Sequence, residues 1–190
     1  QHVKSDVRIH GIVNNGGEAP NIVPDRASCR FYVRAQERKY LEEVKEKVIN
    51  CAKGAELMTG AKLSYRYFEN SFDNIINNSV LQEIMKENLK NVGITDLLYS
   101  EDGPTGSTDI GNVSQVCPTM YTEIALDIEP MVRVHEEEFL KHANSSEAYD
   151  KLHKSVKAMV TSALDIYMNE NLLKEIKKEQ IKETIEKRNV

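Results

Sequence analysis

The sequence predicts a mixed α/β fold, and three observations lead to this prediction. Short stretches in the first third of the chain alternate apolar and polar residues, which is the period of a β-strand. Longer stretches repeat apolar residues every three or four positions, as amphipathic helices do, and they dominate the remainder. A polar, asparagine-rich segment separates the two regions. At 190 residues, the chain is long enough for one domain or for parts of two.

The first two elements are predicted strands joined by a long turn. Residues 6–13 and residues 28–35 both alternate apolar and polar side chains. Residues 14–21 between them are rich in asparagine and glycine, which favour turns, and Pro24 breaks any regular ladder before the second strand.

A helix and a third strand are predicted next. Apolar residues recur at helical spacing, namely Tyr40, Leu41, Val44, Val48 and Cys51. Gly54 then stands where a C-terminal glycine would end the helix, and residues 63–68 alternate again. The order strand, strand, helix, strand matches the last four elements of a ferredoxin-like βαββαβ unit. Residues 1–69 are therefore expected to form a partial ferredoxin-like domain that lacks its first strand and most of its first helix.

The second part of the chain, residues 70–190, begins with a polar connection. Residues 70–78 contain four asparagines, and we place the domain boundary in front of them. A helix is predicted over residues 80–92, followed by a loop at residues 100–108. Residues 116–128 predict a mostly buried strand region that a proline interrupts.

Two helices are predicted toward the C-terminus. The first covers residues 146–168, and its expected buried stripe consists of Leu152, Val156, Met159, Val160, Ala163 and Tyr167. Lysines and glutamates then alternate at helical spacing along the tail, which is typical of a solvated helix.

The composition argues against several classes of partner. A net charge of -5 disfavours nucleic acid, because a surface that follows phosphates needs a clustered positive excess. Cys29, Cys51 and Cys117 are odd in number and lack CxxC spacing, so neither a disulfide framework nor a cysteine zinc site is indicated, and a cytoplasmic location fits. No apolar run approaches the ~18 residues of a membrane span, so no membrane partner is expected.

Residues 101–112 form the first candidate site, because they combine three glycines with hydroxyl, amide and carboxylate groups. The stretch lacks the lysine of a phosphate-binding P-loop, and Ser107 lacks the Gly-x-Ser-x-Gly frame of a nucleophile elbow. A substrate loop is one interpretation. A turn that caps a helix at Thr108 or Asp109 is the other, and the residues alone do not separate them.

Two further candidates are polar residues at predicted element ends. His135 precedes three glutamates, and an imidazole beside carboxylates suits a metal shell, although Phe139 stands where the zincin motif needs a second histidine. A helix start with dipole-favoured glutamates is the alternative. Asn21 lies in the long turn and Arg34 ends the second strand. Such an arginine either holds a carboxylate through two parallel N–H donors or lies exposed as an ordinary strand residue.

Three blocks of the sequence carry a resemblance to a known family. Residues 9–25, followed by 31–35, resemble the lid domain of M20-type metallopeptidases. More narrowly, they resemble the amidohydrolase branch, which includes aminobenzoyl-glutamate hydrolases and aminoacylase-like dipeptidases. Residues 106–114 with 116–119 resemble the substrate-side loop and following strand of that branch, and residues 135–139 resemble the segment with its last metal-binding histidine. The blocks occur in the family's order.

The resemblance implies a lid and dimerisation domain in residues 1–69 and the C-terminal part of a zinc-peptidase-like α/β catalytic domain in residues 70–190. It also implies a homodimer formed through the lid. The family's His-x-Asp pair, bridging aspartate and Glu-Glu pair lie in an N-terminal half without a counterpart in this sequence. The lid histidine, in a His-Ala-Gly-like motif, is likewise absent, so His10 is not given its role.

The activity that the resemblance implies is metal-dependent hydrolysis of an amide bond in a small carboxylate-bearing substrate. The complete enzyme would hold two divalent ions, zinc or manganese. Within this chain the resemblance implies one metal ligand, His135, and no catalytic residue. The substrate-binding residues that it implies are Asn21, Arg34, Gly106, Ser107, Thr108, Asp109 and Asn112. Because a catalytic zinc needs about three protein ligands, we expect this chain alone to be inactive.

Two other functions compete with this hypothesis. The first is a non-catalytic dimerisation or binding module, in which the sheet edge or helices of the lid pair two chains. The second is a cysteine-based hydrolase around Cys117, which we disfavour because the residue lies in an apolar predicted strand and buried thiols are usually inert.

Overall fold

The computed structural model describes residues 2–97, 106–129, 132 and 134–188 of the chain. The chain divides into two compact units, Gln1–Asn74 and Ile75–Val190. The described residues form two strands and six helices, which confirms the predicted mixed α/β class. The assignment of the units to a lid and a catalytic domain stays a prediction. Within the described part of the chain, no helix is both long enough and apolar enough to cross a bilayer.

The first unit contains the predicted hairpin. Strands β1 (Arg8–Asn15) and β2 (Ser28–Arg34) pair antiparallel. Gly11 lies directly opposite Phe31, whose ring covers it so closely that an added Cβ would lie 2.3 Å from the ring carbon Cε1. A larger residue at position 11 would displace the ring, so the glycine is required for this close packing.

Helix α1 (Arg38–Thr59) follows the hairpin and is longer than predicted. Gly54 does not end it: this glycine lies inside the helix, where an added Cβ would meet nothing within 4 Å. The helix ends at Gly60, which has a left-handed φ of 73° and donates its N–H to the Glu56 carbonyl at 2.8 Å. Val44, with none of its surface exposed, anchors the core of this unit.

The predicted third strand at residues 63–68 is wrong, because the described sheet has only two strands. Side-chain contacts hold this segment instead. Phe68 packs edge-on against Tyr32 with 5.2 Å between ring centroids, and the Tyr32 hydroxyl donates to Glu69 at 3.0 Å. In a split βαβ unit, the strands before and after the helix do not pair directly, since another strand lies between them. Residues 63–68 therefore lack a neighbouring ladder within this sheet.

The second unit is helical in its described part. Its helices are α2 (Ser79–Asn91), α3 (Ile110–Ser114), α4 (Phe139–Ala143), α5 (Ser146–Met168) and α6 (Glu170–Arg188). Helices α2 and α5 pack against each other, and α6 contacts both. The side chains of Asn78 and Ser145 each accept a backbone N–H from the first turn of the helix that follows, α2 and α5 respectively. These caps fix two of the predicted helix starts.

Buried polar contacts join α2 to α5. Asn88, only 5% exposed, donates to Asp165 at 2.8 Å and to the Ser162 hydroxyl at 3.2 Å. A cavity of about 440 Å³ opens beside this contact, and Asn88 and Asp165 line it with Leu172. None of its lining residues belongs to the predicted site.

The predicted strand region at residues 116–128 is also wrong. Only Thr119 is paired there, in an isolated parallel bridge with Asn77. Val116 is 83% exposed and Cys117 is exposed, so the expected burial fails as well. A strand needs neighbours on both backbone edges to be buried, and this segment has one bridging residue among the described ones.

The expected buried stripe of α5 is exposed. All six of its residues lie at the surface, with Met159 at 61% and Tyr167 at 89% exposure. Helix α5 is instead buried on the face that carries Ala158 and Ser162, where Ser162 meets Asn88 of α2. We call the six exposed residues the α5 apolar stripe: Leu152, Val156, Met159, Val160, Ala163 and Tyr167.

Helix α6 forms where the charged tail predicts a helix, but it is not solvated on every side. Ion pairs such as Lys174 with Glu170, at 2.8 Å, lie on its exposed surface. Ile176 and Gln180 are buried, and Asn78 donates to the Ile176 carbonyl at 3.0 Å. The helix therefore packs into the second unit through a narrow stripe.

Candidate functional site

The predicted substrate loop leads directly into α3. Asp109 is the N-cap residue of α3, but its side chain makes no capping hydrogen bond; the Thr108 hydroxyl in front of it accepts the Ile110 N–H at 3.3 Å. The Gly111 N–H also reaches the Thr108 carbonyl at 3.4 Å, and the Asn112 N–H donates to the Asp109 carbonyl at 3.0 Å. Thr108, Asp109 and Asn112 thus belong to one turn, while Gly106 and Ser107 lie exposed in front of it. Residues 100–105 of the predicted loop lie outside the described residues.

A buried hydrogen-bond network fixes α3 in the second unit. The fully buried Ser114 hydroxyl accepts the Ile76 N–H at 2.9 Å and donates to the Gly111 carbonyl at 2.6 Å. The Gln180 side-chain amide of α6 donates to the Ser114 carbonyl at 2.7 Å. No local pattern indicates this network, because Ile76 and Gln180 lie 38 and 66 positions from Ser114. Through Gln180, α6 therefore helps to hold α3 and the turn before it, residues 106–112, which we call the candidate loop.

A carboxylate of α6 caps α2 beside this network. Glu179 accepts the N–H groups of Ser79 and Val80 at 2.8 and 3.1 Å. Burial raises the pKa of Glu179, but the hydrogen bonds from Ser79 and Val80 outweigh this effect and hold the pKa below its usual value. The ionised carboxylate also lies at the positive end of the helix dipole, which stabilises it further.

His135 has an unusual backbone conformation. Its φ of 72° makes it the one non-glycine residue with positive φ among the described residues, and its side chain is exposed. The expected helix begins later, at Phe139, and Glu138 in front of it forms an ion pair with Lys141 at 2.6 Å that lowers the pKa of Glu138. A left-handed non-glycine residue costs about 1–3 kcal/mol, and such residues cluster at functional sites.

The described residues do not form a complete metal centre. No group of three or more histidine, cysteine, aspartate or glutamate side chains in the described ranges could hold a metal ion. A catalytic zinc site takes three protein ligands and leaves one position for water. His135 therefore fits as one ligand at most, and the donor groups of the residues that the structure describes do not by themselves fit a catalytic metal pair.

The two predicted site residues of the first unit are both exposed. Asn21 lies in the long turn between the strands. Arg34 ends β2, and its guanidinium carbon lies 5.8 Å from the centre of the Tyr32 ring. No hydrogen bond or ion pair joins Asn21 to Arg34 in the described part of this unit.

Sequence reasoning missed the cationic neighbours of Arg34. Arg8 on β1 lies directly opposite Arg34, His10 lies opposite Tyr32, and Ile12 lies opposite Arg30. Directly opposed residues of an antiparallel pair share one face of the sheet. The alternation in the sequence predicts which face of its own strand each arginine occupies. Only the register between β1 and β2 shows that Arg8 and Arg34 lie on the same face of the sheet.

Cys117 does not support a nucleophile. The argument from burial was wrong, because the thiol is exposed. Its sulfur lies 3.8 Å from the Thr119 hydroxyl, which is not a base that could activate it.

Comparison with known proteins identifies relatives along most of the chain. It is 33% identical over 183 residues to the Xaa-Arg dipeptidase of Mus musculus and 32% identical to that of Homo sapiens, covering 94% of this chain in each case. One component of the p-aminobenzoyl-glutamate hydrolase of Escherichia coli (strain K12) is 30% identical over 94 residues, or 49% of this chain. No protein-family model matches the chain.

These relatives confirm the resemblance to the amidohydrolase and dipeptidase branch of the M20 family. The alignments span 42% and 41% of the two dipeptidases, so the chain corresponds to about two fifths of their length.

Proposed function

We propose that this chain, a relative of the M20-family amidohydrolases, is the C-terminal portion of a metal-dependent enzyme that hydrolyses an amide bond. The substrate is a small molecule with a carboxylate, of the N-acyl amino acid, dipeptide or aminobenzoyl-glutamate type. The observation that carries the proposal is the relationship over 94% of the chain to dipeptidases, together with the shorter match to an aminobenzoyl-glutamate hydrolase. Both names describe hydrolysis of an amide bond next to a carboxylate-bearing residue.

His135 is the residue we assign to the metal, zinc or manganese. Two observations support this role: the imidazole is exposed, and the backbone has a left-handed conformation. Strained conformations of this kind cluster at functional sites. His135 would hold one of the two divalent ions, which would supply Lewis-acid activation of the scissile carbonyl and of the attacking water. The remaining ligands and the general base belong to the part of the relatives that this chain does not span.

The substrate contacts of this chain are assigned to the candidate loop and the hairpin. Ser107 and Thr108 offer hydroxyl groups, Asp109 and Asn112 offer polar side chains in the same turn, and Gly106 leaves room for a close approach. The buried hydrogen bonds of Ser114 to Ile76 and Gly111 fix the helix that follows this turn. A binding loop needs such support to hold its contacts in place. Arg34 and Asn21 would hold the substrate carboxylate or the developing oxyanion.

The test of this proposal is a pair of activity measurements. The purified 190-residue chain, supplied with zinc or manganese, should not hydrolyse N-acyl amino acids, dipeptides or aminobenzoyl-glutamate, because one histidine cannot hold the metal pair. Addition of a polypeptide that corresponds to the unspanned part of the dipeptidases should restore turnover. Turnover by the chain alone would contradict the division of the site, and inactivity of the completed enzyme on all three substrate types would contradict the hydrolase assignment.

A second candidate function, a non-catalytic dimerisation or binding module, is favoured by the α5 apolar stripe. An exposed helix face of this kind usually marks an interaction surface. We also propose a homodimer through the first unit, as the family resemblance implies. Metal analysis separates the two functions: zinc retained in stoichiometric amount by the completed protein supports the enzyme, whereas a metal-free dimer supports the module.

We further propose a cytoplasmic location. Cys29, Cys51 and Cys117 are all free and exposed, which suits a reducing compartment. Fractionation of cells with an antibody against the chain would test this, and recovery of the protein in an oxidising compartment would contradict it.

A further inference from the structure

Helix α3 is too short to be stable without support from other elements. It has five residues, Ile110–Ser114, and the side chain of its N-cap residue makes no capping hydrogen bond. An isolated helix of this length does not form in water, because fixing its first turn costs more conformational entropy than its few hydrogen bonds offset. The last carbonyls of a helix also lack partners within it. Contacts from elsewhere in the second unit must therefore hold α3 and the candidate loop in front of it.

One of these contacts comes from α6 and reaches the end of α3. The Gln180 side-chain amide donates to the carbonyl of Ser114, the last residue of α3, at 2.7 Å. Both residues are buried. The Ser114 hydroxyl accepts the N–H of Ile76, which lies three positions before the start of α2. Helix α6 thus bonds to α3 beside the point where α3 is tied to the segment that leads into α2.

The same face of α6 also holds the start of α2. The Asn78 side-chain amide donates to the Ile176 carbonyl at 3.0 Å, and Glu179 accepts the N–H groups of Ser79 and Val80. Positions 176, 179 and 180 lie on one side of a helix, since residues three and four apart are neighbours. Docking of this one face therefore makes the bonds to α2 and the bond to α3 together.

The docked face of α6 has few apolar contacts. Among residues 170–183, whose side chains the structure describes, only Ile176 and Gln180 are buried. Lysines and glutamates make up most of the other positions in this range. A helix with so narrow an apolar stripe gains little from burial, so the hydrogen bonds of its docked face decide whether it stays in place.

The junction between α5 and α6 has the geometry of a hinge. A single non-helical residue, Asn169, separates the two helices, and its φ of -132° and ψ of 94° are those of extended backbone. The cavity of about 440 Å³ lies beside this junction and is lined by Asn169 and by Leu172 of the first turn of α6. Hinges are a few residues at the ends of elements that absorb large changes in φ and ψ. The open cavity leaves room for such a movement.

We propose that Gln180 is a positioning residue for substrate binding, and that α6 has a docked and a released state, of which only the docked one holds the candidate loop in its binding conformation. This inference rests on the proposed function, which assigns substrate contacts to that loop. Gln180 acts through the Ser114 carbonyl and not by contact with the substrate. Release of α6 breaks its bonds to α2 and α3 together, and the polar groups that it uncovers then bond to water.

Hydrogen exchange of the purified 190-residue chain tests the docking without any hydrolysis. The amides of Ser79 and Val80 bond to α6, and those of Asn112 and Cys117 lie in and just after α3. If one release exposes both pairs, their opening equilibrium constants should agree within about twofold. Gln180→Met removes the amide but keeps the length of the side chain. It should accelerate exchange at both pairs about tenfold, as the loss of one buried hydrogen bond does.

Two control variants separate this release from a general loss of stability. Lys178→Gln changes the exposed face of α6 and should leave exchange at both pairs unchanged. Ala158→Gly weakens α5 at a buried position of the same unit and removes no hydrogen-bonding group. It should lower the free energy of global unfolding while Asn112 and Cys117 keep their exchange rates, because a local opening does not require global unfolding.

Steady-state kinetics of the completed enzyme test the positioning role. When only a fraction of the molecules has a docked α6, the apparent affinity for substrate falls in proportion to that fraction. Gln180→Glu places a charge at a buried position that faces the Ser114 carbonyl oxygen, so we expect about one tenth of the molecules to stay docked and KM to rise about tenfold. The kcat should stay within about twofold of the wild-type value, because saturating substrate selects the docked state.

The milder variant keeps the test quantitative. The KM of Gln180→Met should rise only by the factor that its docked fraction, measured by hydrogen exchange, gives. Should Gln180→Glu fail to fold, exchange in the wild-type chain and in Gln180→Met decides alone.

Different opening constants for the two pairs of amides would overturn the inference, because α3 would then not depend on α6. A lower kcat with an unchanged KM in Gln180→Glu would also overturn it, since a positioning role in binding requires the opposite pattern. Either result leaves the proposed function intact if the completed enzyme hydrolyses amides. Conversely, matched opening of both pairs in a completed protein that hydrolyses no amide would refute the proposed function, while the dependence of α3 on α6 would stand.

Discussion

Ser114→Ala is the substitution that tests most sharply how the candidate loop is held. The hydroxyl is fully buried and accepts the N–H of Ile76, which is itself only 2% exposed. Alanine leaves this N–H buried and without its acceptor, which costs about 1–3 kcal/mol, and it also removes the bond to the Gly111 carbonyl. We expect a total loss of about 2 kcal/mol in the free energy of unfolding.

The assay is urea unfolding followed by circular dichroism, with hydrogen exchange of the amides just after α3 as a local readout. Ser155→Ala is the matched control, because that hydroxyl donates to the Lys151 carbonyl one turn back in the same helix, and its loss should change stability by less than about 0.5 kcal/mol. Exchange at Val116 and Cys117, whose N–H groups bond to Val113, should accelerate in Ser114→Ala alone. Equal stability of the two variants would refute the role we give the network.

Two further predictions concern single contacts. Glu179→Gln should destabilise the chain by about 1 kcal/mol at neutral pH, because the neutral amide caps α2 less well than the carboxylate. Folding lowers the Glu179 pKa, so the stabilisation by its carboxylate is complete above the usual glutamate pKa and is lost as the pH falls through the lower pKa of the folded state. The unfolding free energies of the wild-type chain and of Glu179→Gln should therefore converge in acid. A constant difference between them from about pH 7 to about pH 2 would refute the assignment. Gly11→Ala should destabilise the chain by about 1 kcal/mol, because the added methyl displaces the ring of Phe31, which is 47% exposed and can move. Gly54→Ala should stabilise the chain by about 0.5–1 kcal/mol, because position 54 lies inside α1 and an added Cβ meets nothing within 4 Å. Thermal unfolding that shows the same sign for both variants would contradict the packing described.

Local patterns were sufficient for the elements that depend on neighbouring residues. The hairpin strands and the helices α1, α2 and α5 follow from apolar periodicity, and the start of α5 is set by an adjacent cap at Ser145. The end of α1 was misplaced because Gly54 and Gly60 are both plausible stops in sequence, and only Gly60 adopts the left-handed conformation.

Elements that depend on distant partners could not be predicted in this way. Residues 63–68 have the alternation of a strand, but a strand also needs a ladder, and the sheet of the first unit has two strands. The α5 apolar stripe has the period of a buried face, but periodicity does not say what covers that face. In both cases the pattern describes the side chains correctly and leaves their partner unspecified.

The same distinction between local and distant contacts applies to the candidate site. The turn around Thr108 was predictable, because its capping contact spans two residues. The left-handed backbone of His135 and the buried bonds of Ser114 were not, since no local signal marks either. The Arg8–Arg34 pair needed the strand register, which the long turn between the strands leaves free.

The metal content of the completed enzyme tests the central claim most directly. The chain, joined with a polypeptide that corresponds to the unspanned three fifths of the dipeptidases, should bind two zinc or manganese ions per molecule. His135→Ala should reduce this to about one ion, as measured by mass spectrometry of the metals, while His153→Ala on the exposed surface of α5 should keep both. An unchanged metal content in His135→Ala would contradict the claim that this chain contributes a ligand to the centre.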